Sequence, residues 1–430
     1  MKTLLKNCAY ILTQDNKRRI LKNSSIVIDG DRISKIGDVN ERADEVIDCA
    51  HFLAMPGFIN THTHASMTLF RGIAEDMELK QWLQTKIWPM EKKLNEKYCY
   101  YGALIACIEM IKNGITCFAD MYFFMDSIAK ACKEIGIRAV LGTALFDFPS
   151  PEGKDTIEIG KRFVMKWKKD DLIRVAMMPH SPYTCSEELL LKSKEFAEKE
   201  RILLHTHLAE TREEQVNFEK KFFMREIERL DKIGFLNDNL LAAHCNWLTK
   251  NEIKILSKNK VKVSHCPISN MKLSVGGVSP VPEMLEEGVI VSLGTDSAAS
   301  NNSLDIIETM KFCALIHKFY KWDPAAIKSN HIVDFATING AKALLLDKEI
   351  GSIEIGKKAD IVLMDIKKEN FLPILNEQNL INHIVYSANK SNVKHVICNG
   401  KIVVKNGRVL TCNEDEILEK FKEITKEFYS

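Results

Sequence analysis

Between about residue 56 and residue 346, short runs of apolar residues alternate with longer stretches whose apolar positions recur at helical spacing. The runs cover residues 53–60, 115–121, 138–144, 173–179, 202–206, 240–243, 261–264 and 289–295. Each is brief and apolar on consecutive positions, which suits strands buried on both faces. Their alternation with helical stretches predicts a parallel sheet with crossover helices. Eight such repeats in a stretch of this length fit a (β/α)8 barrel in count and size. Local signals set some helix ends. Thr184-Cys185-Ser186-Glu187 reads as a capping box that opens a helix running to about residue 200. Asn113-Gly114 closes a helix that ends over 107–112.

The two chain ends have a different pattern. Asp29-Gly30 lies between two short apolar runs and predicts a hairpin, and Asn399-Gly400 repeats the signal between 393–398 and 401–404. Residues 359–364 read as one more strand. Both ends are therefore strand-rich. The predicted class is α/β: a TIM barrel over 56–346, beside a small β-sandwich domain made of 1–55 and 347–430 with a C-terminal helix.

Composition narrows the function classes. Hydrophobic residues make up 46% of the 430, enough for a large core. Sixty basic and 58 acidic side chains leave a formal charge of +2, which gives nucleic acid or a membrane surface no electrostatic hold. The first seven residues are too polar for a signal peptide, and no apolar stretch reaches spanning length. Twelve cysteines are scattered without a CxxC pair, and several lie in apolar runs, which points to a reducing cytoplasm and away from a thiolate zinc knot.

The chemistry-bearing residues stand where the apolar runs stop. The first run leads into His62-Thr63-His64, the fourth into His180, the fifth into His207, the sixth into His244, the seventh into His265 and the eighth into Asp296. In a barrel these points share the C-terminal face, where active sites form. His62 and His64 are two apart, so both rings leave a strand on one side and can share a cation. His207 and Asp296 complete a set of imidazoles and a carboxylate that suits Zn²⁺ or Fe²⁺ and leaves a position for water. Glu210 reads either as an acid in the first turn of a helix or as a proton shuttle beside the metal. His244 reads as a satisfied core histidine or as a partner of the site. His205 and His265 read as structural.

Taken together, His62-Thr63-His64, His207 with Glu210, His244 and Thr295-Asp296-Ser297 resemble the amidohydrolase superfamily over nearly the whole chain. Residues 351–360, Gly-Ser-Ile-Glu-Ile-Gly-Lys-Lys-Ala-Asp, look like that superfamily's return into its β domain. More narrowly, residues 56–64, Trp88-Pro89-Met90-Glu91 and Pro179-His180-Ser181-Pro182-Tyr183 are similar to the methylthioadenosine/S-adenosylhomocysteine deaminases. The resemblance implies that His62, His64, His207 and Asp296 bind one divalent metal, zinc or alternatively iron. It implies that Glu210 shuttles protons, that His244 positions the attacking water and that Asp296 takes its proton. Glu91 and His180 would contact the sugar side of a nucleoside, and Ser300 would approach the ligand. Binuclear relatives carry a lysine at the tip of the fourth strand; this chain leads there into His180.

The implied reaction is hydrolytic deamination of a small adenine nucleoside, such as methylthioadenosine, 5′-deoxyadenosine, adenosine or S-adenosylhomocysteine, to its inosine analogue. A guanine, cytosine, pterin or triazine hydrolase is the alternative within the class, and a non-catalytic metal-binding protein the alternative outside it. A homo-oligomer is left open. The chain departs from its narrower resemblance at one place. Where family members that accept S-adenosylhomocysteine often carry arginines after the third strand, it reads Phe146-Asp147-Phe148 and then Lys154. That loop predicts a preference for substrates without a carboxylate.

Overall fold

The computed structural model describes residues 1–39 and 41–430. Its central feature is an eight-stranded parallel sheet. In chain order the strands are Phe58–Thr63, Ile115–Tyr122, Arg138–Leu145, Ile173–Pro179, Leu203–Leu208, Leu240–His244, Lys262–His265 and Val291–Leu293, each paired with its sequence neighbour. Helices occupy the crossovers, so the strands are buried on both faces and carry almost unbroken apolar runs. All eight predicted runs supply a strand, and the barrel expectation holds.

Among the described residues no ladder joins the first and last strands, the last being only three residues long, and hydrogen bonds along the seam link them instead. The Thr61 hydroxyl donates to Leu293 O (2.9 Å), Thr295 N–H donates to Asn60 Oδ1 (2.9 Å), and Asp296 N–H donates to His62 O (3.0 Å). Gly294 stands at the tightest point, where a Cβ would lie 2.8 Å from His62 Cβ and 2.7 Å from Ser264 Oγ. The seam thus ties Asp296 directly to the strand that carries His62.

Two sequence expectations are corrected. The run 53–60 is two strands in two sheets. Phe52–Pro56 pairs with Lys2–Leu12 and with Ile361–Asp365, and the barrel strand starts at Phe58. Gly57 separates them, and a Cβ there would run into the Thr116 side chain. The helix Glu187–Glu200 ends where predicted, but its N-cap is Ser186, whose Oγ accepts from Leu189 N–H. Thr184 faces away from the helix and bonds His180 instead.

Both chain ends enter one nine-stranded sheet, with hairpins at Asp29–Arg32 and Cys398–Lys401 as predicted. Strand alternation splits Phe52–Pro56 between two cores. Leu53 and Met55 join the barrel core, while Phe52 and Ala54 join a second core with Leu5, Ile28 and Ile361. A fully buried ion pair fastens this sheet to the barrel: Arg138, at the start of the third barrel strand, donates to Asp360 (3.0 and 3.2 Å) and to Asn399 Oδ1. The last helix, Glu414–Tyr429, packs on the barrel helix Glu96–Lys112. Among the described residues no helix is long and apolar enough to cross a membrane.

Candidate functional site

The barrel gathers the residues that end its strands. His62 and His64 come from the first strand, His207 from the fifth, His244 from the sixth and Asp296 from just beyond the eighth. Their rings nearly touch: His62 lies 4.9 Å from His64, 4.8 Å from His207 and 5.5 Å from His244, centroid to centroid. Ligand-capable atoms of His62, His64 and His207 fall within 4.8 Å of one another, and so do those of His62, His244 and Asp296.

Hydrogen bonds on the far side of each ring set its tautomer. His205 Nδ1–H donates to Leu241 O (2.8 Å), so its Nε2 is an acceptor. That nitrogen accepts from His62 Nδ1–H (2.8 Å), which leaves His62 Nε2 with a lone pair. His64 Nδ1–H donates to Met121 O and His207 Nδ1–H donates to His180 O, both at 2.6 Å. His244 Nδ1–H donates to Asn270 Oδ1 (2.9 Å), an oxygen identified as acceptor because the Asn270 amide nitrogen donates to Asn246. All four histidines therefore turn Nε2 inward, as a lone pair in the neutral rings of His62 and His207. His62 Nε2 is buried without a partner, 3.6 Å from Asp296 Oδ1, and His64 Nε2 lies 3.4 Å from the same oxygen. An orphaned buried imidazole nitrogen facing a carboxylate and two further imidazoles fits a divalent metal, with ligands oriented by outer hydrogen bonds.

Burial, reinforced by neighbouring histidines, pushes His62 and His207 far below the ordinary imidazole range, so both are neutral donors. Asp296 sits in left-handed backbone at φ 63° and is held from three sides. Its own N–H reaches His62 O, Oδ1 accepts from Ser297 N–H (2.8 Å), and Oδ2 accepts from the Ser269 hydroxyl (2.6 Å). His244, at φ 71°, is strained in the same way.

Glu210 lies within the site. It is buried, its Oε1 stands 3.8 Å from His244 Nε2, and its own N–H donates to Glu214 Oε2 (2.8 Å). Burial, assisted by Asp296, raises its carboxyl against the opposing pull of His244. Burial disfavours the charged form of His244, yet Glu210, Asp296 and Asn270 outweigh it and raise that imidazole. Glu210 also borders a cavity of about 520 Å³ lined by Trp88, Tyr183, Phe218 and Leu273 among others.

The remaining predicted residues surround this centre. His180 stacks on Phe146 (4.9 Å) and lies 4.7 Å from the His207 ring, and burial drives its imidazole down to about 3. Glu91 ends a short helix, Trp88–Glu91; burial raises its carboxyl to about 7 against the pull of Tyr122, whose ring is 6.1 Å from His64. Ser300 is buried in the turn after Asp296, where its hydroxyl pairs with that of Ser297 (2.9 Å). Lys154 is exposed, and the cations on the cavity are instead Lys80, Arg212 and Lys221. His205 and His265 are both buried. His205 orients His62, and His265 Nε2 meets His317 Nε2 at 3.2 Å behind the barrel wall.

Sequence reasoning missed Ser269, Asn270 and Asn246. The first two lie on a six-residue helix, Pro267–Lys272, directly after the seventh strand. Two adjacent polar residues behind a proline at the helix start were the available signal.

Comparison with known proteins agrees with this geometry. Residues 53–403 match the Amidohydrolase family. The chain is 44% identical to a 5′-deoxyadenosine deaminase of Methanosarcina barkeri over 428 residues, 99% of this chain and 98% of the relative. It is 43% identical to a 5-methylthioadenosine/S-adenosylhomocysteine deaminase of Thermodesulfovibrio yellowstonii over 430 residues, 97% of each. Its fold superposes with a TM-score of 0.95 on an adenosine deaminase from Xanthomonas campestris with bound zinc, at 29% identity, covering 99% of this chain and 98% of that one. With its barrel, its strand-end histidines and these relatives, the chain belongs to the amidohydrolase family.

Proposed function

We propose that this protein hydrolytically deaminates an adenine nucleoside, 5′-deoxyadenosine or methylthioadenosine ahead of S-adenosylhomocysteine, releasing ammonia and the inosine analogue. One observation carries the reading: four histidines with outward-locked Nδ1 atoms converge on Asp296, beside a buried Glu210 that opens onto the cavity. The relatives named for deamination of 5′-deoxyadenosine and of methylthioadenosine support the substrate class.

In this reading His62, His64, His207 and Asp296 hold one divalent ion, zinc in preference to iron. The bound ion supplies Lewis acidity toward a water molecule. Glu210, whose carboxyl burial favours in the protonated form, donates to the purine ring nitrogen next to carbon 6. His244, whose protonated form Glu210 and Asp296 favour against the cost of burial, orients the water and donates from Nε2 to the oxygen that develops charge on carbon 6. Asp296 takes one proton from that water and passes it to the amino group, which leaves as ammonia, and the hydroxyl left on carbon 6 returns the other proton to Glu210 as the carbonyl forms. Atoms balance: one water enters, and one ammonia departs. Glu91 and His180 line the sugar side, and Ser300 steadies the turn that carries Asp296.

The twelve unpaired cysteines, including Cys107 and Cys132 with sulfurs 3.9 Å apart, suit a reducing cytoplasm. The segments 1–55 and 347–430 serve as one supporting unit for the barrel 56–346. An ammonia-release screen of purine nucleosides, free bases and triazines tests the function. Release from adenine nucleosides alone is expected; turnover confined to guanine, cytosine, pterins or triazines would overturn it.

A further inference from the structure

Two buried carboxyl groups, Glu214 and Glu226, stand behind Glu210. Glu214 lies in the first turn of the helix Arg212–Phe222, and Glu226 opens the next helix, Glu226–Lys232. Among the described residues neither forms an ion pair. Arg225, beside Glu226 in the chain, turns its guanidinium to Glu252 and Glu219 instead. Two bare charges in one buried place would be costly.

Their hydrogen bonds hold the backbone on both sides of Glu210. Glu214 Oε2 accepts from Glu210 N–H (2.8 Å) and, closing a capping box, from Thr211 N–H (3.4 Å). Glu226 Oε1 accepts from Ala209 N–H (2.9 Å). Ala209 is in left-handed backbone at φ 50°, which a residue with a Cβ keeps only where its surroundings hold it. Glu214 Oε1, by contrast, is buried and receives no N–H or hydroxyl donor. The two carboxyl groups lie within hydrogen-bonding reach of each other, and a proton between them turns a repulsion into a bond.

We propose, resting on the reading of Glu210 as the proton donor of a deaminase, that Glu214 and Glu226 share a single proton and together are positioning residues, fixing the backbone from Ala209 to Thr211 so that the Glu210 carboxyl stands between His244 and the cavity. The one negative charge left on the pair meets three backbone N–H groups and the Gln215 amide (3.4 Å). Burial raises both carboxyls, helped at Glu214 by Glu210 and at Glu226 by Glu214. Glu210, Tyr183, His244, Cys245 and Glu252 also face the pair; only His244 can carry positive charge, and Glu210 and Asp296 are its principal partners.

Steady-state kinetics and melting curves of the full-length, metal-loaded protein test this. Glu226→Leu leaves Ala209 N–H and Glu214 without their partner. Its kcat for 5′-deoxyadenosine should fall about a hundredfold, the scale for a misplaced catalytic group, with KM and metal content nearly unchanged. In Glu226→Gln the amide nitrogen can donate to Glu214 while the oxygen accepts from Ala209 N–H, so most of the kcat should return. The shared proton has a signature of its own. An unfolded glutamate loses its proton above about pH 4.5 while the fold retains it, so stability falls as pH rises from there toward the raised value. The drop in melting temperature between pH 5 and pH 8 should be smaller in Glu226→Gln than in the wild type. If circular dichroism shows Glu226→Leu unfolded, Glu226→Asp, one methylene short of Ala209, takes its place. Near-normal kcat in that variant, or a loss in Glu226→Gln as deep as in Glu226→Leu, overturns the positioning role. An unchanged pH dependence of melting overturns the shared proton. A wild type that deaminates no adenine nucleoside refutes the function and the positioning role with it, whereas the melting curves judge the shared proton on their own.

Discussion

His62 shows how much a single side chain depends on others. Its ring is neutral because burial forbids the charge, and its Nε2 points inward because His205 occupies the other nitrogen. Removing any one of the proposed ligands should therefore cost metal and activity together. His62→Ala, His64→Ala, His207→Ala and Asp296→Ala are each expected to lower divalent metal per chain from about one toward zero, by elemental analysis. Full occupancy in all four would eliminate the ligand set, and a reproducible wild-type ratio near two would contradict a single catalytic ion. Glu210→Gln should behave differently. With the metal retained, turnover should fall roughly a hundredfold or more, the scale for loss of a general acid–base, and near-normal turnover would remove Glu210 from the chemistry.

Glu91 carries a pH prediction at the same scale. Its ordinary value is 4.5, and burial raises it to about 7 in the fold. The fold prefers its neutral form, so the stability it contributes is present below about pH 4.5 and is lost as pH rises through about 7. Glu91→Gln should flatten that loss. The melting temperature difference between pH 5 and pH 8 should be smaller in the variant than in the wild type. An unchanged difference would show that this carboxyl does not titrate in that window.

At the scale of elements, Arg138 and Asp360 join the barrel to the sheet built from the chain ends. Both are buried, and the guanidinium spends two of its nitrogens on the one carboxylate. Losing one partner strands a charge in the interior, which typically costs about 3–5 kcal/mol. Urea unfolding of Asp360→Ala should show a loss of that order, while Arg138→Met with Asp360→Leu should recover much of it. A cost below about 1 kcal/mol for the single variant would mean that water reaches the pair. The seam between the first and last barrel strands has the same character. Its side-chain bonds at Asn60, Thr61 and Thr295 replace ladder that a three-residue strand cannot supply.

For the whole molecule, the question is what lies at the far end of the nucleoside. The loop after the third strand stacks Phe146 on His180 (4.9 Å), sets the exposed Phe148 against Phe146 (4.8 Å) and leaves Lys154 exposed. An amino-acid carboxylate asks for a cation, ideally a bidentate arginine. Steady-state kinetics should accordingly give a higher kcat/KM for methylthioadenosine, 5′-deoxyadenosine or adenosine than for S-adenosylhomocysteine. A clear preference for S-adenosylhomocysteine would refute this and would point to Lys154, or to Arg212 or Lys221 on the cavity.

The barrel and the positions of His62, His64, His207, His244 and Asp296 at its strand ends were legible in the sequence, because burial on both faces of a parallel strand leaves a continuous apolar run that stops where the site begins. The division of residues 53–60 between two sheets was not legible: an apolar run looks alike in either sheet, and only the close approach of Thr116 to Gly57 separates them. Residue types suggested which side chains could bind a metal; ring direction came from partners far along the chain. His205, Leu241 O, Met121 O, His180 O and Asn270 decide which nitrogen of each histidine faces inward, and Ser269 steadies Asp296. Sequence by itself determined the alternation of strand and helix and the chemistry available at each strand end, since both are local. Tertiary structure alone decided the tautomers and the upward shift of the Glu91 and Glu210 carboxyls, because these depend on burial and on hydrogen bonds between residues that the chain holds far apart.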